Sequence, residues 1–300
     1  MKINIFLSIR LKFNMNSNPL VTVYIPTCNR VNLLSRAVES VLDQGYKNLE
    51  VIVVDDCSSD ATVKFLETQA GKDSRLHYFV NPENKGACFS RNRAILAAKG
   101  EFITGLDDDD YFFSERLENF IRRWNHLSAR HKSLIFLFSN GIVQKNNEKQ
   151  RVKYKRPRKI KKSDLIISNF VGNQVFVKTK DLQDVLFDAN LPVWQDLDCW
   201  YRLISNGVAV NTNCYDYVTD VSHPHERISK KKISKIDDVI DNLSIKYNLS
   251  KGEREVLECQ LYSYSLSKLT FRVFLKKMLS MKSFKSGYYL SRKLAKSIFC

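Results

Sequence analysis

The sequence is poor in the residues that mark fibrous, linker-rich and disulfide-rich chains. Its 300 residues include ten glycines, six prolines and seven cysteines. So little glycine and proline excludes a collagen-like or linker-dominated chain. The cysteines are odd in number, scattered and without a CxxC pair, so neither a disulfide framework nor a structural zinc site is expected. This cysteine usage is typical of a reducing cytoplasm.

Long apolar runs are also lacking. No segment reaches the roughly 18 consecutive apolar residues of a membrane-spanning helix. The apolar segment 3–13 is short and is interrupted by Arg10 and Lys12, which argues against a signal peptide. Met15 precedes the first strand-like run closely, so we expect residues 1–18 to be an N-terminal extension, of which the first fourteen are dispensable.

Acidic residues are too few to balance the basic ones. Apolar residues at 44% and charged residues at 27% are ordinary for a globular chain, but the formal net charge is +16. Such an excess predicts an anionic partner: nucleic acid, a phospholipid surface or a phosphorylated substrate. Much of it lies in two places. Residues 151–162 contain eight Lys or Arg and are expected to form a mobile loop, and residues 227–300 carry seventeen basic against six acidic side chains.

The first half of the chain alternates strand-like and helix-like segments. Short β-branched runs predict strands at 20–26, 50–54, 77–80 and 101–106, with helices between them, the second of which could be capped by Ser59 or Asp60. This rhythm predicts an α/β fold with a doubly wound, mainly parallel sheet and flanking helices. We expect a catalytic domain over 19–226, with a nucleotide-binding half at 19–110 and an acceptor half at 111–226. A basic helical tail would follow at 227–300.

Acidic and turn-forming residues follow three of the predicted strands. The first strand ends at Pro26-Thr27-Cys28-Asn29-Arg30, the second at Asp55-Asp56, and the fourth at the run Asp107–Asp110. Ligands of parallel α/β sheets bind beyond the carboxyl ends of the strands. Carboxylates that meet there raise one another's pKa values, and a bound Mg²⁺ or Mn²⁺ removes that cost because it takes oxygen ligands.

Five segments, in order, resemble the inverting family 2 glycosyltransferases, which have the GT-A fold. They are VTVYIPTCNR, VVDDCSSDAT, NKGACFSRNRAI, GLDDDDYF and WQDLDCWYRL, and the resemblance spans roughly residues 20–230. Within this family, the sequence is similar in particular to bacterial enzymes of O-antigen and surface-polysaccharide synthesis. The resemblance implies a hexosyltransferase that uses a UDP-sugar and Mn²⁺ or Mg²⁺.

The resemblance also implies a role for each matching residue. Asp56 would accept a hydrogen bond from uracil N3–H, Asp107 would contact the ribose or a metal-bound water, and Asp109 would coordinate the metal. The nucleotide-binding set is Pro26, Thr27, Asn29, Asp56, Gly86, Arg91, Asp107 and Asp108. The metal-binding set is Asp107, Asp109 and His225. A structural or exposed histidine at 225 and simple turn or cap roles for the acids are the alternatives.

The catalytic base is expected in the last of the five segments. The family usually has Glu-Asp where this chain has Gln195-Asp196, so Asp196 would take the proton from the acceptor hydroxyl. Asp198 is the alternative base, and helix capping is the alternative role of Asp196. The QxxRW motif of processive members is absent after Asp196, which predicts a single transfer.

The basic C-terminal segment predicts where the enzyme works. Lys268, Arg272 and Lys276 recur at four-residue spacing beside Leu269 and Val273, as in an interfacial helix on an anionic membrane. A helix packed on the catalytic domain is the alternative. We expect a peripheral protein at the cytoplasmic face of the inner membrane, with an undecaprenyl-diphosphate-type glycolipid as acceptor.

The sequence argues against three functions other than transfer of a sugar. A nucleic-acid-binding protein would explain the charge, but the sequence has no zinc finger, RNP-like motif or helix-turn-helix, so no nucleic-acid partner is expected. A sugar-phosphate nucleotidyltransferase needs a Gly-rich, basic loop after the first strand, which PTCNRVN does not provide. A binding module without activity is disfavoured by the intact set of acids.

Overall fold

The β-branched runs of the first half form a parallel sheet, as predicted. The computed structural model describes residues 18–146, 148–151, 156–172, 174–223 and 235–263. Its first strands are β1 (Val21–Thr27), β2 (Leu49–Asp55), β3 (Leu76–Val80) and β4 (Phe102–Gly105), which lie side by side in the order β3-β2-β1-β4 and are all parallel. Every residue of β1 and β2 is buried, which explains why both strands are mostly apolar.

Three crossover helices connect these strands: α1 (Val31–Leu42), α2 (Thr62–Lys72) and α3 (Ala87–Ala97). The predicted cap of α2 is corrected by the structure. The helix begins after Ala61, and the Asp60 carboxylate accepts the Thr62 and Val31 backbone N–H groups of α2 and α1. Ser59 does not cap α2, because the N-cap residue is Ala61; the Ser59 backbone N–H and hydroxyl donate to Asn29 Oδ1 instead.

The second half continues the same sheet with mixed strand directions. Its elements are β5 (Tyr111–Phe112), α4 (Arg116–Ser128), β6 (Leu134–Lys145), β7 (Glu148–Arg151), β8 (Lys159–Ile160), α5 (Lys162–Ile167), β9 (Phe176–Lys178), α6 (Thr179–Val185), α7 (Gln195–Ile204) and β10 (Val208–Asp220). The full order is β3-β2-β1-β4-β9-β6-β10-β5, with β7 beside β6 and β8 beside β10. Strand β9 is antiparallel to both of its neighbours, whereas β6 and β10 are parallel.

An aromatic cluster joins the parallel half to the mixed half. The ring of Phe176 on β9 stacks on Phe102 of β4 and on Phe120 of α4, with centroids 5.0 and 4.9 Å apart. Trp124 packs edge-on against Phe102 at 4.9 Å. Because aromatic side chains bury large apolar areas, this cluster fixes the short strand β9 in the centre of the sheet.

Helices cover both faces of the sheet. The face that carries alternate β1 residues such as Val23 packs against α1, α2 and α4. The opposite face, which carries Tyr24 and Ile52, packs against α3, α5, α6 and α7. The alternation of side chains along each strand therefore supplies two apolar surfaces, and each binds one helical layer.

Part of the basic run at 151–162 is ordered secondary structure and not the expected mobile loop. Strand β8 pairs with β10, and Ile160 is fully buried. Arg156 donates to the carbonyl oxygens of Ser139 and Val171. The apolar Ile160 anchors this segment to the core, although its neighbours are basic. Residues 152–155 lie outside the described residues.

Two helices beyond residue 227 pack on the same apolar core as α3, α5, α6 and α7. They are α8 (Ile236–Lys246) and α9 (Lys251–Glu258), followed by a 3-10 turn at Cys259–Ser263. Val239, Leu243 and Leu257 are buried in the cluster that contains Trp200 of α7. Residues 1–17 and 264–300, including the predicted interfacial helix, lie outside the described residues, and the domain boundaries proposed above stay predictions. Among the described helices, none combines the length and the apolar composition needed to cross a membrane.

Candidate active site

The carboxyl ends of β1, β2 and β4 meet at one rim of the sheet, and most of the predicted site residues lie there. Pro26 and Thr27 are the last residues of β1 and pair with Val54 and Asp55 of β2. The Thr27 hydroxyl donates to Asp108 Oδ2 at 2.8 Å, which connects the β1 end to the loop after β4. Parallel neighbours therefore bring together residues that are distant in sequence.

Asp56 holds the loop that precedes α3. Its Oδ1 accepts the Lys85 backbone N–H at 3.0 Å and the Asn81 side-chain amide at 2.8 Å. Its Oδ2 accepts the Gly86 N–H at 2.7 Å. Gly86 has a φ of 85°, a conformation that glycine adopts without strain, and this turns its N–H toward the carboxylate. A carboxylate has about four acceptor positions, so three donors leave acceptor capacity for a ligand.

Asn29 braces the loop between β2 and α2. Its Oδ1 accepts the backbone N–H groups of Ser59 and Asp60 at 2.7 and 3.3 Å, and its own N–H donates to Ser58 Oγ at 2.7 Å. Asn29 has a φ of 54°, which asparagine tolerates better than most residues. In the structure its side chain therefore contacts the protein, and its predicted contact with a nucleotide stays a prediction.

The four acids after β4 have different surroundings. Asp107, Asp109 and Asp110 offer carboxylate oxygens that lie within 4.8 Å of one another. Asp110 is buried, and it accepts from the Tyr217 hydroxyl at 2.7 Å and the Asp220 backbone N–H at 3.1 Å. Asp108 is buried and points elsewhere, since its two oxygens accept from Thr27 and from Arg30.

Burial and mutual repulsion raise the pKa values of Asp108, Asp109 and Asp110. Burial raises the pKa of Asp108 to about 6, against the opposing charge of Arg30. Burial and then the charge of Asp107 raise the pKa of Asp109, and burial with the charges of Asp107 and Asp109 raises the pKa of Asp110 well above its usual range. A divalent cation would relieve this repulsion, so the donor set fits a Mg²⁺ or Mn²⁺ ion.

Arginines surround the acidic cluster. Arg30 Nη1 lies 3.0 Å from Asp108 Oδ1 and 3.2 Å from Asp109 Oδ2. Arg36 donates to the Asp109 carbonyl oxygen at 2.7 Å and pairs with Asp220 at 2.6 Å. These contacts hold the loop after β4 between α1 and the end of β10. They also supply positive charge beside a position that a diphosphate could occupy.

Asp107 joins the two halves of the sheet. Its Oδ1 accepts from Arg91 of α3 at 3.0 Å and from the Gln174 side-chain amide at 3.1 Å. Gln174 in turn accepts from the buried Tyr24 hydroxyl at 3.0 Å. Gly105 permits this arrangement, since a Cβ there would lie 1.9 Å from Gln174 Oε1. The predicted residues Arg91 and Asp107 are thus in direct contact.

Asp196 lies in the first turn of α7 and is half-buried. Its Oδ2 accepts from the Asn169 side-chain amide at 2.7 Å, and its Oδ1 accepts the Leu197 N–H at 2.9 Å. Burial raises its pKa, while the Leu197 N–H and the charge of Arg91 oppose that rise. Asp196 is not the N-cap residue, because the helix is preceded by Trp194 in a left-handed conformation with a φ of 61°.

Asp198, the alternative base, is fully buried and committed to structural contacts. It pairs with Arg202 at 2.6 Å and with Lys246 of α8 at 2.7 Å. It also accepts from the Tyr247 hydroxyl and a second Arg202 nitrogen. With so many protein donors and no exposure, Asp198 is poorly placed to take a proton from a substrate.

The histidine beside the acidic cluster is His223. Its Nε2 lies 3.2 Å from Asp109 Oδ2, and its side chain is largely buried. The predicted metal ligand His225 lies outside the described residues, so its role stays a prediction. Imidazole is a common ligand of divalent metals, and His223 lies beside one member of the acidic cluster, Asp109.

Sequence reasoning gave no role to three residues that the structure places at the site: Arg30, Asn169 and Gln174. Arg30 lies inside the first of the five segments, so its position next to the strand end was a usable signal. Asn169 and Gln174 lie in the irregular stretch between α5 and β9, where no periodicity marks a site. Their proximity to Asp196 and Asp107 depends on how β9 enters the sheet, which local sequence does not encode.

Comparisons with known proteins agree with this geometry. Residues 22–185, which are more than half of the chain, match the family described as Glycosyl transferase family 2. The glycosyl transferase WcaA of Escherichia coli K12, provisionally assigned to colanic acid biosynthesis, is 34% identical over 260 residues, which cover 78% of this chain and 88% of WcaA. The E. coli protein named UDP-Glc:alpha-D-GlcNAc-diphosphoundecaprenol beta-1,3-glucosyltransferase WfaP is 30% identical over 230 residues, 76% of this chain and 88% of WfaP.

A solved structure supports the fold. Staphylococcus aureus TarS 1-349, crystallised with UDP-GlcNAc, superposes with a TM-score of 0.63 at 19% identity and covers 93% of this chain and 80% of that one. At this identity the superposition shows the GT-A fold alone. The family match and the two E. coli relatives carry the assignment further, and they set aside the nucleotidyltransferase alternative. The chain belongs to glycosyl transferase family 2 and is a glycosyltransferase.

Proposed function

We propose that the chain is an inverting, metal-dependent enzyme that moves one hexose or N-acetylhexosamine from a UDP-sugar to a lipid-diphosphate-linked sugar. One observation carries the proposal: Arg91 contacts the acidic cluster directly and also acts electrostatically on the Asp196 carboxylate. Arg91 pairs with Asp107 at 3.0 Å, and its charge also acts on Asp196. A donor diphosphate held at the cluster would therefore present its sugar near a carboxylate able to accept a proton.

The residues before the acidic cluster would bind the nucleotide. Asp56 keeps acceptor capacity after its contacts with Asn81, Lys85 and Gly86, which suits the single N3–H donor of uracil. The TarS structure holds UDP-GlcNAc, which supports a uridine nucleotide in this fold. We extend the nucleotide-binding set to the rest of the predicted residues: Pro26, Thr27, Asn29, Gly86, Arg91, Asp107 and Asp108. In this scheme, 19–110 is the nucleotide-binding half and 111–226 is the acceptor half.

Asp107 and Asp109 would hold the divalent cation, with Asp110 and His223 or His225 completing the donor set. The raised pKa values of Asp109 and Asp110 support this assignment, because a cation stabilises the ionised carboxylates. Mn²⁺ or Mg²⁺ bound there would offset the charge of the departing diphosphate. Arg30 and Arg36 add fixed positive charge at the same place.

Asp196 would act as the general base. It would take the proton from an acceptor hydroxyl as that oxygen forms a bond to the anomeric carbon. The bond between the anomeric carbon and the diphosphate oxygen breaks on the opposite face, so UDP leaves and the configuration inverts. Burial keeps the Asp196 carboxylate more basic than an exposed aspartate, which favours proton transfer.

The acceptor is proposed from the relatives and from charge. WfaP is named for an acceptor carried on diphosphoundecaprenol, and WcaA for a polysaccharide pathway. An undecaprenyl-diphosphate-type glycolipid is anionic and confined to a membrane, which suits a chain with a net charge of +16. We place the enzyme at the cytoplasmic face of the inner membrane, held peripherally by the basic segment 266–300, without a nucleic-acid partner.

Metal-dependent binding and transfer test this function together. We would titrate the protein with UDP in MnCl₂ or MgCl₂, and screen UDP-glucose, UDP-galactose and UDP-N-acetylglucosamine with diphosphoundecaprenol-linked N-acetylglucosamine as acceptor. We expect UDP binding to require the cation and to fall at least about tenfold in Asp109→Ala, because a carboxylate ligand is lost. Glu115→Ala, an exposed acid outside the cluster, is the matched control. Equal UDP affinity in EDTA would refute metal dependence, and no transfer with any donor would refute the substrate assignment.

A further inference from the structure

The geometry points to Asn169 as the positioning residue for the Asp196 carboxylate, an assignment that rests on the proposed role of Asp196 as the base. Asn169 lies in the loop between α5 and β9, and its side-chain Nδ2 donates to Asp196 Oδ2 at 2.7 Å. Among the described residues, Asn169 is the one side chain that donates a hydrogen bond to Asp196. We propose that Asn169 fixes the direction of the carboxylate and stabilises its ionised form.

The loop presents Asn169 in one orientation. Asn169 Oδ1 accepts the Gly172 N–H at 3.0 Å, and Asn169 Nδ2 also reaches the Gly172 carbonyl oxygen at 3.2 Å. Because Oδ1 is engaged by an N–H group, the nitrogen of the amide must face Asp196. Gly172 has a φ of 91°, and a Cβ there would lie 3.3 Å from the Arg156 guanidinium, so this backbone conformation favours glycine.

A second contact anchors the same loop to α7. The Gly172 carbonyl oxygen accepts from Trp200 Nε1 at 2.9 Å, and Trp200 is fully buried. Asp196 and Trp200 are one helical turn apart on α7, so the loop runs along the side of the helix that carries the base. The loop and α7 are therefore joined by two hydrogen bonds, from Asn169 to Asp196 and from Trp200 to Gly172. Together they limit the rotation of the Asp196 carboxylate before a substrate binds.

The remaining charges around Asp196 do not replace this contact. Arg91 of α3 favours the ionised form from a distance, whereas Asp107 disfavours it. The Cys88 and Cys199 thiols interact with Asp196 only electrostatically, and burial raises their pKa values, so they stay neutral. Asn169 and the Leu197 N–H are thus the direct donors to the carboxylate, one on each oxygen. Both oxygens retain acceptor capacity for an incoming hydroxyl.

Two substitutions separate this role from simple loop packing. Asn169→Ala removes both the donor and the Gly172 contact, whereas Asn169→Asp keeps the acceptor for the Gly172 N–H and replaces the donor with a second carboxylate. We would label the protein with [4-¹³C]aspartate, assign the Asp196 resonance by its loss in Asp196→Asn, and titrate each variant. We expect the Asp196 midpoint to rise by about one pH unit in Asn169→Ala and by more in Asn169→Asp, since a like charge is added.

Kinetics provide the second measurement. The acidic limb of the kcat/KM profile for acceptor should move with the Asp196 midpoint, and kcat should fall about tenfold while the UDP affinity stays unchanged. Asn119→Ala on α4 is the control and should leave both unchanged. If loop packing were the only role, Asn169→Asp would be milder than Asn169→Ala and neither midpoint would rise; that result overturns the inference. Near-normal turnover in Asp196→Asn would instead refute the proposed base.

Discussion

At the scale of single residues, the role of Asp56 requires a carboxylate, because it accepts three hydrogen bonds from the protein. The Asn81 amide that contacts it is itself fixed, because Arg93 donates to Asn81 Oδ1 at 2.7 Å. Lys85 and Gly86 present backbone N–H groups that cannot act as acceptors. A neutral amide at position 56 would place its own NH₂ group against at least one of these donors. The loss of this hydrogen-bond acceptor would affect both the loop and any nucleotide bound beside it.

We therefore expect Asp56→Asn to weaken UDP binding about 10- to 100-fold, because the loop at 84–86 loses an acceptor and uracil loses its carboxylate partner. Isothermal titration with UDP in MnCl₂ measures the change. Glu83→Gln, a substitution of a mostly exposed acid in the same loop, is the control and should bind UDP normally. Unchanged affinity in Asp56→Asn would remove Asp56 from the proposed nucleotide site.

The raised pKa of Asp196 predicts the pH dependence of transfer. A base must be deprotonated, and burial raises the Asp196 pKa above its usual value of 3.8. Activity should therefore be full above that raised pKa and fall as the pH drops through it. The kcat/KM profile for acceptor measures this limb. UDP titrations at each pH are the control, because protonation of the metal-binding acids would lower UDP affinity as well, whereas protonation of Asp196 would not.

At the scale of elements, two acids two residues apart on α7 have opposite tasks. Asp198 is surrounded by Arg202, Lys246 and Tyr247, and it joins α7 to α8 and the residue that follows it. Asp196 faces the rim instead. Because the pKa of Asp196 is higher in the folded chain than its usual value, ionisation of Asp196 reduces the stability of the fold. The contribution that favours folding is present below the unfolded pKa and is lost as the pH rises through the folded one.

A pair of substitutions separates these tasks. Asp198→Asn should lower the unfolding free energy by about 2 to 3 kcal/mol, because it removes the carboxylate charge that Arg202 and Lys246 share. Asp196→Asn should not lower the melting temperature, yet it should reduce kcat by about 10²- to 10⁴-fold. Urea unfolding and initial rates measure both at neutral pH. Each variant is the other's control, and the reverse pattern would make Asp198 the base.

The elements also show what the sequence could predict. The strands at 20–26 and 50–54 are rich in β-branched residues, so their ends, including the position of Asp56, could be predicted. The acids at 107–110 follow in the same way from the strand at 101–106. Strand β9 has three residues, and nothing local marks its antiparallel direction or its place in the sheet. Its place depends on Phe176 packing between Phe102 and Phe120, which is a tertiary effect.

The same limit applies to the site. Asp196 could be predicted from a family segment, whereas its contact with Asn169 depends on the irregular loop before β9. The prediction of a mobile loop at 151–162 was wrong over β8. The many basic residues suggested exposure, whereas Ile160 is fully buried and β8 pairs with β10. Helices α8 and α9 pack on the core even though residues 227–300 are basic overall, because their apolar residues share one face.

At the scale of the whole molecule, the distribution of charge agrees with the proposed membrane-bound acceptor. The net charge of +16 is concentrated beyond residue 227, where the described helices α8 and α9 pack against the base helix α7. The basic residues that the sequence places after residue 263 would therefore follow directly from the catalytic core. An anionic lipid surface would attract such a segment with about 1 kcal/mol per basic residue near the surface. A water-soluble acceptor would gain nothing from that attraction.

Deletion of residues 266–300 should release the protein from vesicles that contain anionic phospholipid, and raise the KM for a diphosphoundecaprenol-linked sugar. Hydrolysis of the UDP-sugar should change little, because the described site lies before residue 264. Vesicle sedimentation and initial rates measure both effects.

A milder variant replaces three basic residues by glutamine, at Lys268, Arg272 and Lys276. Its matched control removes the same charge from the catalytic domain, at Lys64, Lys72 and Arg122. Charge acting at this segment predicts that only the first triple variant loses vesicle binding, and that high salt reproduces the loss in the intact chain. Equal binding of the deletion variant would mean that the segment does not hold the enzyme at a membrane.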